Sequence, residues 1–314
     1  MTRLLDILAL PFVFLAAIVM KFYRRRGSAR MKLNTGMLKR MGVFPIRNHY
    51  YEPLFDHRQL RTPLSDSRNL PGLNMDVQVQ KQFLENLRFD TDFQDFLKAQ
   101  SNLSADMHFT LDNGSFAYGD AEFLYSFIRH LKPARVLEIG CGLSTKLISG
   151  ALQLNQEEGA DPARHVCVEP YEQAWLEKFP NIEVLRSPIE EMDLGLAAAL
   201  EPGDFLFIDS SHMIRPQGDV LHEYLTIIPG LQAGVYVHVH DIFTPRDYPA
   251  IWVRDNVSFW NEQYILEAML GNSSGYQIVA ALNYLFHDHF DALQQACPVL
   301  TAETEPGSFY FRTT

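Results

Sequence analysis

From residue 135 to residue 314, short apolar runs alternate with segments of helical periodicity. Seven of the runs have strand character, namely RVLEIG, HVCVEP, IEVLRS, FLFIDSS, GVYVHVHD, YQIVAAL and SFYFRTT. This alternation predicts an α/β fold, and strands that are apolar at nearly every position are typically covered on both faces. We therefore expect a mostly parallel, seven-stranded sheet with helices on both faces. In such a sheet, ligands bind beyond the carboxyl ends of the strands.

The segments between these runs predict the helices. Apolar spacing of three and four indicates helices over residues 77–89, 121–131, 142–153, 171–179, 218–228 and 252–270, with a further one near 291–296. The stretch 48–118 is otherwise rich in turns, and its residue types do not indicate a ligand. We expect it to be an accessory segment that covers a cleft or shapes an acceptor site.

Charge is divided unevenly along the chain. Residues 1–47 contain ten lysines and arginines and one acid, a net charge of +9, whereas the remaining 17 basic and 37 acidic residues give −20. An acidic body repels phosphate groups, which argues against nucleic-acid binding. The three cysteines, Cys141, Cys167 and Cys297, are widely spaced and odd in number. They predict neither a disulfide framework nor a zinc site, and they favour a reducing compartment.

The N-terminal segment has the composition of a membrane anchor. An apolar stretch runs from Leu4 to Met20, interrupted only by Asp6 and Pro11, and the basic run KFYRRR follows it. The length is borderline for a span, and the flanking arginines differ from a signal-peptide cleavage site. The positive-inside bias places the acidic body in the cytoplasm. Pro11 leaves open whether the helix crosses the bilayer or re-enters it, and the alternative is a helix buried against the protein itself.

Two strand ends predict a nucleoside-binding edge. Gly140 and Gly142 flank Cys141 where the first strand passes into a helix, so a ligand can lie against bare backbone at the helix N-terminus. A tight turn without a ligand gives the same pattern. Glu169 ends the second strand, where a carboxylate can accept both hydroxyl hydrogens of a ribose. Thr145 replaces the third glycine of a dinucleotide fingerprint, and Glu138 precedes Gly140 within the strand.

This E-x-G-x-G pattern resembles the first motif of the class I S-adenosylmethionine-dependent methyltransferases. VEP resembles their second motif, FIDSSH their acidic fourth-strand motif, and SFYFRT their antiparallel seventh strand. GDAEFLYSFIR, EPYEQAWL and HVHDIFTPRDYP further resemble a bacterial methyltransferase-domain subgroup linked to surface-polysaccharide pathways. The resemblance covers residues 48–314. It implies a Rossmann-like sheet with an antiparallel last strand and S-adenosyl-L-methionine as cofactor, and it leaves the acceptor undefined.

The resemblance also implies roles for the residues of the motifs. It places Gly140, Cys141 and Gly142 beside the methionine moiety and ribose, Glu169 on the ribose hydroxyls, and Glu138 as the anchor of the loop.

Further residues would complete the cofactor site. The resemblance places Pro170 and Tyr171 against the adenine, the backbone of Ile189 at the adenine edge, and Asp209 beside the sulfonium and the acceptor. Capping of the following turn is the alternative role for Asp209.

The chemistry is expected where the fourth and fifth strands end. His212 follows Asp209 by three residues, and His240 and Asp241 end the neighbouring strand. A hydroxyl acceptor loses a proton during methyl transfer, and histidine is suited to accept it. We expect His212 or His240 as the base, with Asp241 orienting it. His238 lies deeper on the same strand face and is expected to be a core histidine.

A divalent metal is an alternative that the sequence leaves open. Catechol-type methyltransferases hold a cation between acids that correspond to Asp209 and Asp241, but here Ile242 stands where a further oxygen ligand is usual. Nearby, Trp252 and Trp260 can wall an acceptor pocket, or they can pack helices.

The sequence thus predicts a membrane anchor with a basic flank over 1–30, an accessory segment over 31–118 and a methyltransferase domain over 119–314. The expected activity is O-methylation of a hydroxylated glycan or lipid-linked metabolite at the cytoplasmic membrane face. Two alternatives are a metal-dependent hydrolase or oxygenase that uses the HVHD cluster, and a non-catalytic, membrane-tethered protein that binds a nucleoside. The sequence does not indicate an oligomeric state.

Overall fold

The computed structural model describes residues 2–49, 51–100, 103–104, 106–171 and 173–314. The chain forms two compact units, Met1–Pro63 and Leu64–Thr314. Their boundary falls within the segment that the sequence predicts to be accessory.

The first unit contains two helices, α1 (Thr2–Arg26) and α2 (Lys32–Arg40). Helix α1 has a mean hydropathy of 2.2 over its most apolar 18-residue window, and none of that window is buried. It is long and apolar enough to cross a membrane, and it ends in Arg24, Arg25 and Arg26. The helix also continues through Pro11.

The second unit begins with connecting segments and helices and continues as an α/β sandwich. Its helices are α3 (Val77–Leu84), α4 (Asp90–Gln100), α5 (Asp120–Leu131), α6 (Leu143–Glu157), α7 (Gly195–Ala198), α8 (Asp219–His222), α9 (Glu262–Leu270), α10 (Leu282–Asp288) and α11 (Phe290–Ala296). The helical path of α8 continues through a wide, π-type turn at Glu223–Ile227.

Seven strands form one sheet. They are β1 (Arg135–Ile139), β2 (Arg164–Val168), β3 (Ile182–Leu185), β4 (Phe205–Ile208), β5 (Tyr236–Val239), β6 (Tyr276–Ala281) and β7 (Phe309–Thr313). Their order is β3-β2-β1-β4-β5-β7-β6. Strand β7 pairs antiparallel with both neighbours, while the pairs among β1 to β5 are parallel. This confirms the Rossmann-like sheet with an antiparallel last strand.

Alternate residues of the strands enter two apolar layers. On one face, Phe205 and Phe207 pack with the core that includes α5 and α6. On the other face, Leu206 and Ile208 pack with residues of α9 and of the turn after α8. Because both faces are covered, the central strands are apolar at nearly every position. Polar side chains of the sheet that can meet a ligand are thus expected at the strand ends and in the loops that follow them.

Two predicted helices differ in the structure. Within the described residues of 171–179, only a single 3-10 turn forms, at Leu176–Lys178. The predicted helix over 252–270 is interrupted, because a short turn at Ile251–Asp255 is followed by an irregular stretch before α9 begins. Asn261 precedes α9, and its side-chain Oδ1 accepts a hydrogen bond from the backbone N–H of Ile214 at 2.7 Å. A tertiary contact therefore replaces the helical turn that the periodicity predicts.

Candidate active site

The turn between β1 and α6 requires glycine at one position. Gly140 has φ +76°, and a Cβ there would lie 1.9 Å from the carbonyl oxygen of Asp209. The turn therefore brings the ends of β1 and β4 into direct backbone contact. Gly142 differs, because its φ is −168° and a Cβ would meet no atom within 4 Å. Its open side is where a ligand can approach the backbone.

The buried carboxylate of Glu138 stabilises the turn between β1 and α6. Glu138 is fully buried and accepts hydrogen bonds at Oε1 from the hydroxyls of Ser144 and Thr145, at 2.8 and 2.9 Å. Its Oε2 lies 2.8 Å from Nε2 of His165. Burial would lower the pKa of His165, but the adjoining Cys167 and Glu138 raise it to about 10. Glu138 thus ties β1, β2 and α6 together rather than lining the cleft.

Glu169 lies at the rim of the cleft, immediately after β2. Its carboxylate accepts hydrogen bonds from the backbone N–H of Cys141 at 3.3 Å and from that of Tyr171 at 3.0 Å. These contacts fix the carboxylate beside the glycine turn. Cys141 is buried, and its Sγ lies 3.7 Å from the carbonyl oxygen of Glu138.

Two adjoining clefts lie over the carboxyl ends of β1, β2 and β4. One, of about 380 Å³, is lined by Pro170, Tyr171 and Ile189 together with Ser210 and Asp219. The other, of about 450 Å³, is lined by the glycine turn, Phe116 and Trp175. Gly140, Glu169 and Asp209 line both. Every cofactor residue expected from the sequence except the buried Glu138 therefore borders this cleft.

The ends of β4 and β5 bring four polar side chains together. Nε2 of His212 lies 3.4 Å from Oδ1 of Asp209 and 3.5 Å from Oδ2 of Asp241. Nε2 of His240 lies 3.6 Å from Oδ1 of Asp241. The structure thus brings together all four residues that the sequence places at this edge.

Glu262 is a member of this cluster that the sequence analysis did not single out. Its Oε2 lies 2.8 Å from Nδ1 of His212, and its Oε1 accepts a hydrogen bond from the hydroxyl of Tyr224 at 3.0 Å. Glu262 is the first residue of α9, so the interruption before that helix places it beside His212. A contact on Nδ1 leaves Nε2 directed towards the two aspartates. The sequence analysis predicted a continuous helix over 252–270, and that prediction did not place Glu262 beside His212.

The surrounding carboxylates control the protonation of the two histidines. Burial lowers the pKa of His212, but hydrogen bonds to Asp209 and Glu262 raise it well above the usual imidazole range. Burial likewise opposes the charge on His240, and Asp241, Asp209 and Asp120 together raise its pKa. The surrounding carboxylates thus stabilise the imidazolium form of both rings.

The two aspartates respond to their surroundings in opposite directions. The pKa of Asp209 is lowered, because the nearby His240 and His212 outweigh the effect of burial. The pKa of Asp241 is raised, chiefly by burial. Asp209, which lines the cleft, is therefore the more firmly ionised of the two.

His238 belongs to the core, as the sequence predicts. It is fully buried, its ring stacks on Phe207 with centroids 4.2 Å apart, and its Nε2 lies 3.0 Å from Oγ of Ser308. Burial lowers its pKa well below the usual imidazole range.

Within the described ranges, one group of histidine, cysteine and carboxylate atoms is spaced closely enough to share a metal ion. It consists of Glu138, His165 and Cys167, whose ligand atoms lie within 4.8 Å of one another. All three are buried beneath the glycine turn, and Glu138 already bonds to His165 and to α6. This group is distinct from the Asp209 and Asp241 pair.

Comparison with known families identifies this part of the chain. Residues 137–242, which run from β1 to the end of β5, match the model of a methyltransferase domain. These residues form a methyltransferase domain. The chain thus contains a methyltransferase domain, and the glycine turn, Glu169 and the adjoining cleft fit the nucleoside of S-adenosylmethionine. This match favours methyltransferase activity over the hydrolase or oxygenase interpretation.

Other proteins are similar to this chain at lower identity. An uncharacterised protein from Archaeoglobus fulgidus is 24% identical over 169 residues, which cover 51% of this chain and 74% of the relative. An O-methyltransferase from Bacillus cereus, solved with S-adenosylhomocysteine, is 16% identical with a TM-score of 0.39, covering 76% of this chain and 97% of that one. The 1,6-didemethyltoxoflavin-N1-methyltransferase from Burkholderia thailandensis is 15% identical with a TM-score of 0.31, covering 79% and 94%.

Proposed function

We propose that the chain is an O-methyltransferase that acts at the cytoplasmic face of a membrane on a hydroxyl group of a glycan or lipid-linked metabolite. The observation that carries the proposal is the placement of His212. Its Nδ1 contacts Glu262, while its Nε2 lies beside Asp209, which also lines the cofactor cleft. A histidine held in this way can accept a proton from a hydroxyl group that lies next to the cofactor.

The cofactor residues follow from the cleft. Glu169 would accept hydrogen bonds from the ribose hydroxyls, and Gly142 would let the ligand approach the backbone. Pro170, Tyr171 and Ile189 would contact the adenine, since they line the same cleft. When bound there, S-adenosylmethionine supplies an electrophilic methyl group.

We assign removal of the acceptor's hydroxyl proton to His212 and the carboxylates around it. Nε2 of His212 accepts the proton that the acceptor hydroxyl releases, and Glu262 holds Nδ1–H and stabilises the imidazolium. Asp209 and Asp241 contribute negative charge on the Nε2 side, and Asp241 also orients His240. Because His212 must first lose its own proton, activity should rise with pH through the raised pKa of this residue.

An aromatic wall is proposed for the acceptor side of His212. The ring of Trp260 lies 4.5 Å from that of His212, and Trp252 lies 4.9 Å from Trp260 in an edge-on arrangement. Both tryptophans are partly exposed. Aromatic faces combined with carboxylates suit a hydroxylated ring such as a sugar, which presents both C–H and O–H groups. A sugar acceptor of this kind would be consistent with a role in a surface-polysaccharide pathway, which is part of the same proposal.

Membrane attachment is assigned to α1. Its apolar length and its basic end match an anchor whose following residues stay on the cytoplasmic side. The 31–118 accessory segment and the catalytic domain over 119–314 would then work next to the lipid surface.

The test is transfer of an isotopically labelled methyl group from S-adenosylmethionine to an extract of host membranes. We expect a labelled methyl ether on a lipid-linked or glycan product. His212→Gln should reduce the rate by about 10²–10⁴-fold with little change in cofactor affinity, as is usual for loss of a positioned base. Label that appeared only on protein nitrogen, or a His212→Gln variant with the wild-type rate, would contradict the proposal.

A further inference from the structure

An exposed stripe on α2 is not used by the chemistry described above. Leu33, Met37 and Met41 recur every fourth residue, which places them on one side of the helix. Their exposed fractions are 91%, 57% and 74%. Three neighbouring large side chains exposed to this degree are costly in water and call for a partner.

Basic residues border this stripe. Lys32, Lys39 and Arg40 are all exposed on α2, and the chain has no acidic residue between Asp6 and Glu52. An apolar stripe flanked only by positive charge is suited to the interface of a membrane that contains anionic lipids. A protein partner would need acidic residues around an apolar groove to pair with these basic side chains. The surface of an anionic bilayer provides both negative headgroups and an apolar layer just beneath them.

The position of α2 is fixed at the basic end of α1. Oγ1 of Thr35 lies 2.6 Å from the hydroxyl of Tyr23, a buried residue of α1, and donates a hydrogen bond to the carbonyl of Ser28 at 2.7 Å. Leu38, three residues after Thr35 on the same side of α2, is also buried. These contacts hold the side of α2 that carries Thr35 against α1, and they leave the stripe exposed.

The chain after α2 folds back onto the same place. The guanidinium of Arg24 lies 4.9 Å from the ring centroid of Phe44 and 2.6 Å from Oε1 of Glu52. Arg47 contacts the same carboxylate oxygen at 2.8 Å. The segment 32–47 is therefore attached to the last turn of α1, beside its basic end.

We propose that α2 is a second membrane-binding element, an interfacial helix that inserts Leu33, Met37 and Met41 among the headgroups and binds anionic lipid through Lys32, Lys39 and Arg40. This inference rests on the membrane attachment proposed above. It adds a dependence on lipid charge that an anchoring helix by itself does not have. Anionic lipid would thereby orient the chain segment that leads from the membrane towards the second unit.

The full chain can be tested in nanodiscs made either of phosphatidylcholine alone or of phosphatidylcholine with 30% phosphatidylglycerol. Trypsin cleaves after Lys32, Lys39 and Arg40, and mass spectrometry can follow each site. We expect cleavage in α2 to be at least about tenfold slower in the anionic discs, and 1 M salt to reduce this protection because the Debye length falls to about 3 Å. Cleavage after the exposed Lys98, in the second unit, serves as the internal control.

A pair of variants separates the stripe from general charge effects. Met37→Glu should abolish the protection, whereas Gln82→Glu makes the same charge change at an exposed position of α3 and should preserve it. Equal cleavage of α2 in both kinds of disc would overturn the inference and leave the membrane attachment intact. Failure of the chain to co-elute with either disc would instead refute the membrane attachment itself.

Discussion

Replacing Glu262 with glutamine tests the proposed base most directly. Glu262 is fully buried and lies 2.8 Å from Nδ1 of His212, so glutamine keeps the shape of the contact but removes its charge. Asp209 and Asp241 remain near Nε2. With one carboxylate fewer, the pKa of His212 should fall, and the rise of kcat/KM with pH should move to lower pH. The plateau rate should also fall, because a less basic imidazole is a poorer proton acceptor.

The same change should lower stability in a pH-dependent way. The pKa of His212 in the folded chain is raised above the unfolded value of about 6.5, so its contribution to stability is complete below that pH. It is lost as pH rises through the folded-state pKa. A hydrogen bond to a charged group contributes roughly 1.5–3 kcal/mol, so Glu262→Gln should be destabilised by up to that amount near pH 6 and by less in alkali.

Two measurements check this reasoning without knowledge of the acceptor. NMR of chain labelled with ¹⁵N-histidine follows the titration of His212, which His212→Gln identifies, and thermal melts across pH follow the stability. Tyr224→Phe is the matched control, since it removes the other hydrogen bond to Glu262 and keeps the charge. The account fails if His212 titrates at the same pH in Glu262→Gln as in the wild type, or if Tyr224→Phe shifts the titration equally.

Other predictions concern the cofactor, the metal alternative, the core and the anchor. Gly142→Val should weaken S-adenosylmethionine binding at least about tenfold by calorimetry, or 1.4 kcal/mol, with the melting temperature retained because its Cβ meets no neighbour. Gly140→Ala should lower both binding and melting temperature, since its Cβ would collide with the backbone of Asp209. Chelator should leave activity unchanged; loss in chelator with recovery on added magnesium, together with inactivity of Asp241→Asn, would indicate a cation between Asp209 and Asp241. His238→Gln should cost about 1–3 kcal/mol of stability through the lost Ser308 contact and leave kcat/KM intact, as denaturant unfolding and kinetics would reveal. Deleting residues 1–30 should move the chain from the membrane fraction to the supernatant after lysis, and pelleting of the truncated chain would place the attachment elsewhere.

The sheet could be predicted from sequence because a strand buried on both faces is apolar at nearly every position, and such a run can be recognised without knowledge of the rest of the chain. Each of the seven apolar runs became a strand, and the turn at Gly140 followed from its glycines. Residues at strand ends could likewise be grouped, since parallel strands present their carboxyl ends at one edge. This explains why Asp209, His212, His240 and Asp241 are neighbours in the structure.

Glu262 could not be found in the same way. Its neighbours in sequence have helical periodicity, and the interruption before α9 depends on the distant contact between Asn261 and Ile214. Helical propensity is weak compared with such tertiary contacts. The described residues of 171–179 form no α-helix for a similar reason, since a distant residue, Arg186, donates a hydrogen bond to the carbonyl oxygen of Gln173.

The buried carboxylate of Glu138 has a consequence for how the cofactor is captured. Its bonds to α6 and to His165 on β2 define the shape of the loop before any ligand arrives. A loop already ordered in this way loses little conformational entropy on association. Cofactor capture should therefore resemble the docking of a rigid body, with the slow rearrangements of the catalytic cycle confined to the acceptor side.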